Sequence, residues 1–368
     1  MPARNRDAGG RTAVKKVRVG RVLFNLLLGV VVVIFVIAIS FLLLQISGKN
    51  SLYSRADDGQ MISTLSDMAV ALGGSADVED EDWQEGDFRF EGVHYRYNSD
   101  VLTFLFMGID KMSEVREVEE GIEGGQSDAN FLLVLNPQSK EITVIGIPRD
   151  TMTEVEAYNK EGIYWGPMTA QLAIQHGYGN GTELSCERSV QAVSNLFYGL
   201  PIHGYCAINM GAIPLLNDAV GGIDLQAIET LDFGEYRITE GDQLHLEGMD
   251  AYYYLHNRDI TKAQTAAGRL QRQKQYIMAY AAKAMAALKK DVTFPVSLYG
   301  TLSKYMVTDI SVDEVGYLAT QILNYSFDGD NMHVLEGETT KGEEYEEFWV
   351  DEDALYRLIL DIFYEKIE

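Results

Sequence analysis

Residues 22–46, VLFNLLLGVVVVIFVIAISFLLLQI, contain no charged side chain, and only Asn25, Ser40 and Gln45 are clearly polar. At 1.5 Å per residue such a stretch crosses a hydrocarbon core about 30 Å thick with some tilt. A cleaved export signal has a shorter apolar part of roughly 7–15 residues and a small-x-small exit, which Phe41-Leu42-Leu43-Leu44-Gln45 does not supply. Residues 1–21 carry seven Lys/Arg against Asp7 alone, so the positive-inside rule puts the amino terminus in the cytoplasm and residues 47–368 outside. The expected organisation is a basic cytoplasmic tail (1–21), a transmembrane signal anchor (22–46), a juxtamembrane stalk (47–100) and an extracellular domain (101–368) in the cell membrane.

The net charge of −25 argues against general nucleic-acid binding, which needs a basic stripe to track phosphates. A cytoplasmic tail of 21 residues is also too short for a DNA-binding fold, which removes transcription control. The stalk reading rests on residues 77–87, a run with seven carboxylates that cannot bury enough apolar surface to order itself. It lacks the alternating ligands and turn glycine of a calcium loop. Cys186 and Cys206 are compatible with a bridge or with two buried small side chains, and spacing decides neither. No Cys/His cluster has zinc spacing.

The domain should begin with 101–109, a near-continuous apolar run ending at Asp110. Ser127-Asp128 precede a second strand (131–135), Asn136-Pro137 turn the chain, and 141–147 form a third strand, stopped by Pro148, which cannot donate to a ladder. Strands this apolar are covered on both faces, which implies an α/β layered domain. Arg149 and Asp150 then sit at a strand's carboxyl end, where open α/β sheets bind ligands. If Asp110, Asp128 and Arg149 share a rim, two carboxylates and a guanidinium can hold a divalent metal and a phosphate together. The plain alternatives are a terminal salt bridge and loop-forming aspartates.

A second informative stretch is Ala-Tyr-Tyr-Tyr-Leu-His-Asn-Arg-Asp at 251–259, followed by Gly268-Arg269-Leu270-Gln271-Arg272-Gln273. The latter opens a helix running to about Lys290. Arg269, Arg272 and Gln273 fall at i, i+3 and i+4 near its amino end, where cations oppose the helix field and call for something negative.

The ordered set Met-Gly-Ile-Asp110, Ser127-Asp128, Ile-Pro-Arg149-Asp150-Thr151, Val220-Gly-Gly-Ile-Asp224, Tyr254-x-x-x-Arg258 and Gly268-Arg269-x-x-Arg272-Gln273 resembles the LytR-CpsA-Psr family over about residues 101–290. The resemblance implies an α/β/α sandwich with an apolar lipid tunnel. It also implies a phosphotransferase that moves an anionic glycopolymer from a polyprenyl-pyrophosphate carrier to peptidoglycan, with Mg2+ or Mn2+ at the diphosphate. Carried over by position, Asp110 and Asp128 would hold the metal. Arg149, Arg258, Arg269 and Arg272 would grip the diphosphate, with Asp150, His256 and Gln273 assisting. Leu255 and residues 270–280 are candidates for lining the lipid slot. Three positions depart from the pattern: His256 stands where an arginine is usual, Ala266 replaces an aspartate before the Gly-Arg, and Asn130 replaces a threonine. The alternative is therefore a non-catalytic prenyl-phosphate-binding protein of the same fold.

Beyond that stretch, helical patterning is expected over 169–176 and 186–198. Two helices over 294–325 should precede a strand at 332–335. Residues 337–347 read as an acidic loop, and residues 351–368 as an amphipathic helix that packs on the main domain.

Overall fold

The computed structural model describes residues 44–55, 64–65, 67–70, 74–75, 83–84, 86–233, 236–257, 265–327, 329–342 and 345–367. The described residues open with helix α1 (44–53) and the helical residues 64–65 and 67–70 (α2). Strands β1 (Phe88–Phe90), β2 (Val93–Tyr97), β3 (Leu102–Ile109), β4 (Ser127–Asn136), β5 (Glu141–Ile147), β6 (Met152–Tyr158) and β7 (Tyr164–Gln171) follow. Then come α3 (Leu172–Gly177), α4 (Glu183–Leu196), β8 (Gly204–Asn209), α5 (Ile213–Ala219), β9 (Ile223–Gln226), β10 (Leu231–Phe233), β11 (Tyr236–Ile238) and β12 (Gln243–Leu246). The last third holds α6 (Met249–His256), α7 (Thr265–Lys290), α8 (Phe294–Leu302), β13 (Met306–Thr308), α9 (Val312–Ile322), β14 (Met332–Val334), β15 (Gly337–Lys341), β16 (Glu346–Val350), α10 (Glu352–Phe363) and β17 (Tyr364–Ile367).

Six strands form the central sheet in the order β13-β8-β3-β4-β5-β14. β3, β4 and β5 are an antiparallel meander, β8 runs parallel to β3, and β14 runs parallel to β5. The sheet is therefore mixed, with helices on both faces as the apolar strands require.

Alternation along the strands divides the core. Leu105, Met107, Ile109, Leu132, Val134, Ile145 and Ile147 face one side, where they pack with residues of α4 and α10, among them Val193, Tyr356 and Ile359. Leu102, Phe104, Leu135 and Ile142 face the other side and meet Leu52 of α1 and Tyr317 of α9. A third cluster, Ile223, Leu225, Leu246, Tyr254 and Tyr276, binds β9 and β12 to α6 and α7.

Several expectations are corrected. Residues 47–100 do not form a stalk where they are described. Leu52, Leu65 and Ala69 are fully buried, β1 and β2 join β17 in a sheet, and Asp87, the last carboxylate of the acidic run, is buried against Arg96 and His94. Residues 77–82 and 85 of the acidic run, on which the stalk reading rested, lie outside the described residues. Of the expected span only 44–46 lie within the described residues, and among those residues no helix is long and apolar enough to cross a membrane. Residues 169–171 belong to β7, and helix begins only at Leu172. The expected loop at 337–347 is largely a hairpin, β15–β16, and the terminal helix ends at Phe363, beyond which β17 pairs with β2. Cys186 and Cys206 are both buried and unbridged.

α1 docks firmly on α9. The Gln45 amide donates to the Gly316 carbonyl (3.1 Å) and accepts from Thr320 Oγ1 (2.8 Å), and Arg55 pairs with Glu314 (2.7 Å) and Asp309 (3.0 Å).

His203, at the start of the β8 segment, accepts the Thr103 N–H at Nδ1 (3.1 Å), so this nitrogen is unprotonated. Burial lowers its pKa to about 4. The unfolded chain then binds the extra proton first, so stability is complete above the ordinary histidine pKa near 6.5 and falls with pH between 6.5 and 4. Its slope is at most ~1.4 kcal/mol per pH unit for this group. Buried His176 has the same sign. Urea midpoints measured across that window should fall with pH, and His203→Gln, which keeps an acceptor for Thr103, should flatten the dependence.

Candidate functional site

Pro148 ends the β5 ladder, and the next three residues close a tight turn in which Thr151 donates its N–H (3.1 Å) and hydroxyl (2.7 Å) to the Pro148 carbonyl. Neighbouring elements pin the turn: the Ala173 N–H donates to the Arg149 carbonyl (3.0 Å) and the Phe348 N–H to the Asp150 carbonyl (2.9 Å). Register sets the opposing groups. Asn130 of β4 pairs with Ile147, so Asp128 stands beside the turn. There the Arg149 guanidinium forms an ion pair with Asp128 through Nη1, donates from Nη2 to Gln126 Oε1 (2.6 Å), and meets Asp150 at Nε (3.3 Å). Burial raises the Asp150 carboxyl above its ordinary range; Glu346 reinforces the shift, and Arg149 and Arg269 oppose it. Gln171 also donates to Asp150 (3.0 Å).

Asp110 lies just past β3 and accepts the Gln126 N–H at 2.7 Å, its side chain exposed. Gln126 thus links the two expected metal-binding carboxylates, with its backbone on Asp110 and its side chain on the guanidinium that holds Asp128.

Beside this polar rim the sheet is hollow for a reason legible in its cross-strand pairs. On one face of β3–β4 the pairs run Leu102–Leu135, Phe104–Leu133, Phe106–Phe131 and Gly108–Ala129. The last pair is the smallest, and a Cβ on Gly108 would come within 3.2 Å of the Ala129 methyl. Above it lies an apolar cavity of about 190 Å³, closed by residues of α5, α6 and α7 that include Ile213, Leu216, Leu255, Tyr276 and Tyr280. A more polar cleft of about 290 Å³ opens alongside, lined by Arg149, Asp150, Thr339, Glu346 and Phe348. Asp128, Ala129, Phe131, Arg269 and Gln273 line both.

The arginine face of α7 is split. Arg269 and Gln273, one turn apart, face the cleft, whereas Arg272 points into the protein and is only 1% exposed. Its Nε pairs with Glu229 (2.9 Å), Nη2 donates to the Asn257 carbonyl (2.6 Å), and the group lies 5.7 Å from the centre of the Tyr254 ring. Gly268 permits this, since a Cβ there would meet Glu229 Oε1 at 2.9 Å. The expectation that Arg272 grips a ligand is therefore corrected: a carboxylate of the same chain has taken it. His256 ends α6, lines the apolar cavity and stacks on Tyr252 with ring centres 4.9 Å apart. Asn130 is buried and donates to the Ser127 carbonyl (3.0 Å), holding the start of β4. Arg258 lies outside the described residues, as does the side chain of Ala266.

Sequence reasoning missed Gln126, Thr339, Glu346 and Phe348. The last three come from the β15–β16 hairpin, of which residues 337–347 were expected as a loop. The aromatic and β-branched run Phe348-Trp349-Val350 was the available signal.

The LytR_cpsA_psr family model matches residues 60–358. A polyisoprenyl-teichoic acid–peptidoglycan teichoic acid transferase TagU from Oceanobacillus iheyensis is 29% identical over 247 residues, 66% of this chain and 70% of that one. Among solved structures, Bacillus subtilis TagV superposes with a TM-score of 0.53 at 21% identity, covering 71% of this chain and 96% of that one. TagT bound to LI-WTA gives 0.51 at 18% identity, with 71% and 89% covered. At these identities the superpositions speak to the fold.

Replacing Arg272 by Ala removes a buried cation, strands the Asn257 carbonyl and leaves Glu229 without its partner. Denaturation should show a loss of roughly 2–4 kcal/mol. If Arg272→Ala left stability unchanged, the structural role given to it here would be wrong.

Proposed function

Because the chain belongs to the LytR-CpsA-Psr family, we propose that it is a membrane-anchored phosphotransferase that moves an anionic glycopolymer from a polyprenyl-pyrophosphate carrier to peptidoglycan. The observation that carries the reading is the junction of a charged cleft with an apolar cavity at Asp128, Ala129, Phe131, Arg269 and Gln273. One molecule with an anionic head and a hydrocarbon tail satisfies both halves. The name of the TagU relative, a polyisoprenyl-teichoic acid transferase, supports the same choice of substrate.

In this reading the diphosphate lies in the cleft against Arg149, Arg269 and Gln273, with Arg258 a further candidate, and the first part of the prenyl chain enters the cavity as the mouth of a lipid tunnel. An acceptor hydroxyl forms the new phosphodiester at the phosphorus that bears the polymer, the P–O–P bridge breaks with its electron pair kept by the bridging oxygen, and prenyl phosphate leaves, taking up the proton that the hydroxyl gives up. The protein's task is to position the reacting groups in line and to neutralise charge that grows on the bridging oxygen. Arg149 is already oriented by Asp128, Asp150 and Gln126, so an incoming phosphate competes with a carboxylate for a guanidinium that needs little rearrangement.

A divalent ion fits this donor set in a particular way. Among the described residues no group of three or more His, Cys, Asp or Glu could hold a metal. Mg2+ is commonly held by one or two carboxylates with substrate phosphates and water completing its shell, and Asp110 and Asp128, tied together through Gln126, match that demand. When bound, Mg2+ or Mn2+ would offset diphosphate charge at this rim.

The full chain, supplied with Mg2+ and a polyprenyl-pyrophosphate saccharide, should release prenyl phosphate. Arg149→Ala should lower kcat/KM by ~10²-fold or more, the scale of losing one transition-state charge stabiliser. Arg149→Lys should recover only part of this, because a point charge cannot make the three separate contacts. Turnover unaffected by Arg149→Ala would take Arg149 out of the mechanism. In a second test, Ala129→Leu fills the cavity at its floor. KM for the lipid substrate should rise by about tenfold or more while stability changes by no more than ~1–3 kcal/mol. An unchanged KM would mean that the tail does not use this cavity.

A further inference from the structure

α8, Phe-Pro-Val-Ser-Leu-Tyr-Gly-Thr-Leu, has no charged residue, yet only Leu302 of its nine residues is buried. A helix lying on a soluble domain ordinarily turns a charged face outward. Here Val296 is 37% exposed, and Val292, just before the helix, is 50% exposed. The helix packs against α9 and α5, whose own outward residues include Val312 (49% exposed) and Leu215 (37%). α9 in turn holds α1 through Gln45, and the described part of α1 includes Leu44 and Ile46, 53% and 48% exposed. Apolar side chains are thus exposed along one connected layer of helices, α1, α9, α8 and α5.

Charge is distributed to match. In a chain of net charge −25, residues 283–304 carry Lys283, Lys289, Lys290 and Lys304 against Asp291 alone. Asp291 is turned back on Thr293, whose N–H (2.9 Å) and hydroxyl (2.7 Å) donate to it. Lys283 is committed to Asp224 (2.6 Å), whereas Lys289 and Lys290 are exposed at the end of α7; Lys304, 72% exposed, lies 3.4 Å from Glu114. Cations around an uncharged, aromatic-bearing helix are the pattern of a segment that rests in a lipid interface. The chain supplies the reason for lipid to be near: the described residues begin at Leu44, and the residues before it complete the uncharged 22–46 stretch.

We propose that α8, with Val292 before it and the exposed start of α1, forms a face that lies on the outer leaflet of a bilayer containing anionic lipid. This rests on the reading of residues 22–46 as a membrane anchor. The domain is then applied to the membrane over an area, and its position does not depend on one tethering point.

The test uses the full chain with Val296→Cys carrying an environment-sensitive fluorophore, reconstituted in vesicles of phosphatidylethanolamine and phosphatidylglycerol with or without a lipid-borne quencher. Cys186 and Cys206 are buried, and burial raises both thiol pKa values, so they resist labelling. Asp361→Cys, on α10 across the sheet, is the control. The inference expects quenching several-fold greater at 296 than at 361. Water-like emission at both sites, from a chain that alkaline carbonate fails to extract, overturns the inference and leaves the anchor standing. Extraction by carbonate overturns the anchor and this face together. A shielded but unquenched probe at 296 means that protein, such as a second copy of the chain, covers α8, and also overturns it.

Discussion

The guanidinium of Arg149 touches Asp128, Asp150 and Gln126, and the rest of the cleft depends on that arrangement. Each partner is placed by a separate device: Asp128 by the register of β4 against β5, Gln126 by the segment that satisfies Asp110, and Asp150 by the turn that Pro148 imposes. A partly exposed ion pair of this kind contributes little to stability. Its value is orientation, because the arginine has given up its rotamer freedom before any ligand arrives. An anion that takes the place of Asp128 meets donors already aimed.

The apolar half of the site comes from the opposite circumstance, a deficit of side-chain volume. Moving along one face of β3 and β4, large residues pair until Gly108 and Ala129, where the sheet surface drops. Helices α6 and α7 cannot follow that drop, since their own cluster with β9 and β12 fixes them through Tyr254 and Tyr276. A space remains between two rigid layers. Because Ala129 follows Asp128 directly in β4, the hollow and the charged rim share an edge, and an amphipathic ligand could bind across it.

How much of this was legible follows from the range of each signal. Strand ends were readable because proline and aspartate mark them locally, and these ends hold Asp110, Asp128, Arg149 and Asp150. The fate of Arg272 was not. Cations at the start of a helix do require something negative, as the sequence suggested, but for Arg272 the answer is Glu229, 43 positions away. Helical spacing puts Arg269, Arg272 and Gln273 on one broad face, and the 60° separating Arg272 from Arg269 was enough to send one inward and the other to the cleft. The stalk reading failed for a similar reason. The acidic run set the reading for the whole of 47–100, although Leu52, Leu65 and Ala69 lie outside it and their burial partners lie far along the chain.

The way α1 is held bears on how a membrane-borne substrate could reach the cleft. Leu52 packs beside Phe104, and Gly108 stands two cross-strand pairs further along the same face of β3. At about 3.3 Å per residue, those four residues put the floor of the cavity about 13 Å along β3 from the point where Leu52 packs. Gln45, Leu52 and Arg55 fix α1 to the sheet and α9. On the proposed reading, a carrier lipid with its tail in the bilayer would rise along the helical side of the sheet to present its diphosphate, and the apolar residues between α1 and Gly108 would replace the hydrocarbon it leaves.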